Sequence, residues 1–264
     1  MRAVWKGSIS FGLVSIPVQV FPATEEKSIS FHQLHARDGG RIQYRRVCSV
    51  CGEEVPLADI IRGYEIEADQ YVTVTDEDLA SLPLPSRRVI EITCFVDTAE
   101  LDPTYFQRAY YLAPEETGAK AYYLLREVLR ATPRLAVAVV ALREKERLAA
   151  VRLHGDILLL HTMYWPDEIR DSSFQMSTAE ATPEIKPAEL EMAKLFVDNL
   201  TEPWNPAAFS DHYREALTAL LERKARGEII TPEAAPPEAE VVDILSALRA
   251  SVAAAKAKRE AATG

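Results

Sequence analysis

Three consecutive apolar segments restrict what this chain can fold into. They are Leu135-Ala-Val-Ala-Val-Val-Ala-Leu142, Leu148-Ala-Ala-Val-Arg-Leu153 and Ile157-Leu-Leu-Leu-His-Thr-Met-Tyr164. Each has the length of a strand rather than of a core helix, and turn residues separate them. Arg143-Glu-Lys-Glu-Arg147 joins the first two as a charged hairpin tip. More strands are expected nearer the N-terminus, at Ser8–Val14, Val18–Phe21, Tyr71–Thr75 and Val89–Val96, with Ile16-Pro17 parting the first two. Many short strands favour a barrel over an alternating α/β sheet. In Val89–Val96, strict alternation turns Ile90, Ile92, Cys94 and Val96 to one face, which makes Cys94 a core filler.

Helices are expected at fewer places. Residues 118–131 place Tyr122, Leu125 and Leu129 on one face. Thr75 followed by Asp76, Glu77 and Asp78 is a capped helix start, since the helix dipole favours acids there. Residues 186–200 carry a stripe of Leu190, Ala193, Val197 and Leu200. A second C-terminal helix starts at Ser210 or Asp211 and stops near Gly227. Residues 231–240 form a Pro/Ala/Glu linker too poor in apolar groups to fold. Beyond it, Val241, Leu245, Leu248 and Val252 make an apolar stripe that one isolated helix cannot bury, so a partner is implied.

Charge is distributed in blocks that the net value of −10 conceals. From Lys27 to Gly52 there are five basic residues and one acid; from Glu53 to Glu116, fifteen acids and four arginines. Residues 117–152 are basic again, with eight cations and three acids. No apolar run is long enough for a membrane span, and the N-terminus lacks a signal-peptide core. Three cysteines are too few for a disulfide framework, so a reducing cytoplasm is expected. Neither a phosphate-binding glycine loop nor a nucleophile elbow nor H-E-x-x-H occurs, and no enzymatic activity is expected.

The basic block contains Cys48-Ser-Val-Cys51, preceded by His32-Gln-Leu-His35. Two such pairs can close a tetrahedral zinc site if the strand bends to bring both histidines round, with Arg45 and Arg46 favouring the thiolates. An incomplete zinc ribbon is the other reading. Between the pairs, Arg37-Asp-Gly-Gly-Arg-Ile-Gln-Tyr-Arg-Arg46 turns at Gly39-Gly40. In a strand, Arg41, Gln43 and Arg45 share a face, and arginines about 7 Å apart can follow a phosphate backbone. Tyr44 is the one aromatic in the run, so duplex is favoured over single strand.

Several long segments, in order, resemble the bacterial Ku family. They include MRAVWKGSISFGLVSIPVQVFPAT, SFHQLHARDGGRIQYRRVCSVCGEE, YVTVTDEDL, HTMYWPDEIR, EIKPAELEMAKLFVDNL and NPAAFSDHYREAL. The resemblance implies a mixed β fold with α: a β-barrel core with an inserted bridge, followed by a C-terminal helical arm. It divides the chain into a core over 1–183 with the bridge at about 27–70, an arm for dimerisation over 184–230, the linker over 231–240, and a ligase-interacting helix with a short basic tail over 241–264. It implies a homodimeric ring on double-stranded DNA ends that recruits ligase D, in the cytoplasm and associated with the nucleoid. Bridge contacts to DNA would come from Lys27, Arg37, Arg41, Arg45 and Arg46, and cradle contacts from Lys6, Arg143, Lys145 and Arg147. The partner helix would dock through Val241, Leu245, Leu248 and Val252. No cofactor is required; a structural zinc on Cys48 and Cys51 is the candidate metal. Only Lys256, Lys258 and Arg259 stand where some members carry a lysine-rich tail, so tail-based DNA binding is expected to be weak.

Overall fold

The first hairpin is built from β1 (Trp5–Phe11) and β2 (Val14–Pro22). Its two-residue turn falls at Gly12-Leu13, with Gly12 at φ 57°, a backbone region that a side chain disfavours. The break is therefore not at Ile16-Pro17. Pro17 lies inside β2, where its carbonyl accepts the Glu115 N–H at 3.0 Å and its ring packs against Gly118. A proline is tolerated there because that side of β2 meets a turn rather than a continuous ladder. The computed structural model describes residues 1–82, 88–142, 145–172 and 185–228.

Five further strands complete a closed barrel: β5 (Val89–Asp97), β6 (Phe106–Pro114), β7 (Arg134–Leu142), β8 (Lys145–His154) and β9 (Ile157–Met163). Their order round the barrel is β1-β2-β6-β9-β8-β7-β5. Every neighbouring pair is antiparallel except β1 with β5, whose parallel pairing closes the ring. A parallel pair needs a long crossover, and residues 23–88 are that insertion. The lumen holds the core: Ile9, Ile16, Val18, Ile90, Leu112, Val140, Val151 and Leu160 are fully buried.

Between Ile92 and Cys94 the β5–β7 register slips by one residue. The bulge reverses the side-chain parity. Ile90 and Ile92 face the lumen as expected, but Cys94 pairs with Val137 on the outer face and is exposed. Cys94 is thus not a core filler. A second, outer cluster of Leu135, Ala150 and Met163 is covered by Leu101 and Tyr105.

One end of the barrel is closed by α2 (Ala119–Ala131), which buries Tyr122, Leu125 and Leu129, the face its spacing predicts. The Tyr122 hydroxyl donates to the Leu112 carbonyl at 2.6 Å and accepts the Leu158 N–H at 2.9 Å. It therefore satisfies two buried backbone groups where β6 and β9 part. Burial raises the pKa of Tyr122, so the phenol stays neutral.

The insertion carries its own two-stranded ribbon, β3 (Arg62–Glu67) with β4 (Gln70–Val74), and then α1 (Asp76–Ser81). Thr75 caps α1 as expected, and Asp78 returns the bond to the Thr75 N–H, making the cap reciprocal. Residues 1–171 form one compact unit and 172–264 another. In the second, α3 (Pro187–Leu200) and α4 (His212–Ala225) appear as expected, α4 capped by Asp211, whose carboxylate accepts the Arg214 N–H at 2.9 Å. Gly227, at φ 77°, follows its end. The linker 231–240 and the stripe of Val241, Leu245, Leu248 and Val252 lie outside the described residues.

Candidate nucleic-acid interface

The arginine-rich part of the insertion is not a regular strand. It is held by isolated bridges, Leu34 with Arg41 and Val47 with Glu54, around two turns. The first turn forms because Asp38 accepts the Gly40 N–H at 2.9 Å and contacts His35 Nδ1 at 2.9 Å, with Gly39 at φ 71°. These bonds, the Gly40 N–H first, hold the Asp38 carboxyl below its usual pKa. The alternation expected for Arg41, Gln43 and Arg45 therefore does not apply, because Asx-type turns displace the ladder.

The basic residues differ in their partners. Arg45 is engaged by Glu54 at 3.2 Å, and Lys27 lies 3.8 Å from Glu25. Arg37, Arg41 and Arg46 are exposed and have no side-chain partner among the described residues. An exposed pair contributes little to stability, so the unpaired arginines are the ones available to an external anion. Lys6 is exposed on β1, opposite Gln19.

The second turn is the cysteine knuckle. Gly52, at φ 73°, lets its N–H return to the Cys48 carbonyl at 3.0 Å, and the Cys48 N–H meets the Glu53 carbonyl at 2.9 Å. The Cys48 thiol is pulled below its ordinary pKa by the N–H groups of Cys51 and Val50, and then by the Cys51 thiol. Backbone amides, not Arg45 and Arg46, thus activate this sulfur. His32 and His35 do not join the pair: no group of three or more His, Cys, Asp or Glu able to hold a metal occurs among the described residues. The knuckle supplies two ligands of the four that a structural zinc takes, and no further His, Cys, Asp or Glu joins it among the described residues.

The expected hairpin tip is shorter than its charge run. Lys145 and Arg147 belong to β8, opposite Leu142 and Val140, and both line a recess at the open end of the barrel. Arg143 lies outside the described residues. Arg108 lines the same recess; it falls on a stretch, 106–114, for which the apolar pattern predicts no strand, although Arg108, Tyr110 and Leu112 alternate onto the lumen side of β6.

His161 occupies the outer face of β9, beside the Phe106 ring at a centroid distance of 4.8 Å. Arg152 Nε donates to its Nε2 at 3.1 Å. Burial, with the charges of Arg152 and His154, lowers its pKa to about 4, so the ring is neutral and its proton sits on Nδ1.

The chain matches the family described as Ku70/Ku80 beta-barrel domain over residues 10–192. It is 45% identical to the non-homologous end joining protein Ku of Mycobacterium tuberculosis (strain H37Rv), over 96% of each chain. It is 44% identical to the protein of the same name from Archaeoglobus fulgidus, covering 97% of this chain and all of the relative. The Frankia casuarinae relative, also of that name, is 45% identical over 98% of this chain, which spans 65% of the relative's length.

Proposed function

Because the chain belongs to the Ku family, we propose that it binds ends of double-stranded DNA without reading sequence, as a ring-shaped homodimer, and recruits ligase D for non-homologous end joining. The observation that carries this reading is the likeness, over nearly the whole of both chains, to relatives named for non-homologous end joining. The geometry supports it physically. An insertion of some sixty residues leaves the barrel between β2 and β5, and it presents Arg37, Arg41 and Arg46 without acidic partners among the described residues. Phosphate contacts of this kind fix position and carry no sequence information.

A single chain also leaves surfaces that require a partner. The β3–β4 ribbon exposes Tyr64, Ile66, Tyr71 and Val72, and an isolated two-stranded ribbon is marginal in water. On α3 and its continuation, Val197 is 60% exposed, and Trp204, 77% exposed, stacks on Phe209 at 5.1 Å. A second copy of the chain would cover them, with 184–230 as its embracing arm. Ligase D would dock on Val241, Leu245, Leu248 and Val252. Any zinc bound at Cys48 and Cys51 would be structural, and the protein would act by binding rather than catalysis.

The reading is tested by competition. Short linear duplexes of unrelated sequence should displace one another equally from the protein, with affinity falling steeply as salt rises. Strong preference for one sequence, or affinity insensitive to salt, would contradict it.

A further inference from the structure

Three cations converge on the open end of the barrel. Lys145 pairs with Leu142, Arg147 with Val140 and Arg108 with Thr162. Val140 and Leu142 belong to the lumen core, and Thr162 is buried in step with Leu158 and Leu160, so all three cations rise from the lumen face of the wall. With Trp5, Tyr110 and Tyr164 they line a recess of about 670 Å³. That lies within the roughly 300–1,000 Å³ of small-molecule sites.

Among its described lining residues the recess is electrostatically one-sided. No carboxylate lines it among the described residues. Arg147 Nη1 donates to Gln107 Oε1 at 3.3 Å, a neutral partner, while Arg108 and Lys145 have no side-chain partner among the described residues. Glu146 alternates to the opposite face of β8, opposite Ala141. Like charges around a low-dielectric floor repel one another, and a polyanion relieves that repulsion.

The walls add a second requirement. The Trp5 indole packs over Gly7, where a methyl group would strike both the Arg88 carbonyl and the ring. An inorganic anion makes no use of aromatic walls; a base stacks on them. We propose that the recess binds a nucleoside phosphate, with its phosphates on Arg108, Lys145 and Arg147 and its base against Trp5 or Tyr164. The ligand is either a free nucleotide or the 5′-phosphorylated terminal nucleotide of a DNA strand. The site uses none of the insertion's arginines and does not depend on their contacting DNA.

Calorimetric titration of the full chain tests this with ATP, inorganic tripolyphosphate, and a dinucleotide with and without a 5′-phosphate. Saturable binding of ATP, of the 5′-phosphorylated dinucleotide, or of both is expected; the first identifies the free nucleotide and the second the strand terminus as the source. Arg108→Gln with Lys145→Gln should weaken it by on the order of tenfold or more, since each charge-assisted contact is worth about that much. The same variant should melt no lower than the parent, as it removes unpaired cations that repel one another. Quenching of tryptophan fluorescence on binding should vanish in Trp5→Phe; should that variant fail to fold, the double variant decides. The proposal is overturned if none of these ligands binds, if tripolyphosphate binds as tightly as ATP and the 5′-phosphate makes no difference to the dinucleotide, or if the double variant binds as the parent does. Linear duplex binding, measured on the same preparations, separates the two readings: duplex bound without any nucleotide bound removes this site and leaves end binding standing.

Discussion

At the scale of single residues, the basic block divides by what each cation already touches. Arg46 and Arg41 have no side-chain partner among the described residues, whereas Arg45 holds Glu54 at 3.2 Å. Neutralising a true phosphate contact lowers the slope of log affinity against log salt by about 0.9. Arg46→Ala should produce that decrement and Arg45→Ala a smaller one, in titrations across a salt series; equal, unchanged slopes would remove the arginines from the interface. His161 offers a test of a different kind. Its folded pKa of about 4 lies below the ordinary imidazole value of 6.5, so the folded state binds fewer protons than the unfolded in that window. Stability is then complete above about pH 6.5 and declines as pH falls toward 4. The urea midpoint should drop from pH 7 to pH 5 by less in His161→Gln than in the parent; an equal drop would show that the imidazole does not titrate as described. The sequence shows which residues are basic, but not which are already paired. The Arg45–Glu54 contact spans a turn that only the folded knuckle brings together.

At the scale of elements, periodicity reads well wherever the ladder is regular. The inward face of α2, the cap at Thr75 and the start of α4 at Asp211 all follow from residue spacing and end chemistry. It fails where one residue is inserted. The bulge at Ile92/Cys94 turns Cys94 outward, and the slip at Phe106/Arg108 sets Phe106 against Met163 of the outer cluster. Strict alternation has no means of marking an extra residue. Pro17 was misleading for a related reason: proline reads as a strand break, yet β2 runs through it where its neighbour is a turn. The apolar stripe of α3 was legible in the sequence, but the chain alone does not bury it: Leu190, Val197 and Leu200 remain exposed. Val197→Asp places a charge in any interface that covers this stripe and should shift the protein toward monomer in sedimentation velocity, with the helix content unchanged. A dimer of parental stability would show that α3 is not the embracing element.

At the scale of the whole molecule, the puzzle is an acidic protein, of net charge −10, proposed to bind a polyanion. Segregation of charge resolves it. The insertion concentrates cations from Lys27 to Gly52, and the acids follow from Glu53 to Glu116. A ring needs positive potential only where DNA passes, and acids elsewhere keep the protein soluble and discourage binding in other places. The barrel was readable because many short strands leave few alternatives. Its closure by a parallel β1–β5 pair was not, since no local pattern reports a pairing between strands separated by the whole insertion. Closure of the assembly itself is the central claim, and topology tests it without any mutation. A covalently closed circular duplex should bind poorly, and the same molecule should bind far more tightly after a single double-strand cut. Equal binding of the intact and the cut circle would contradict a ring that loads at ends.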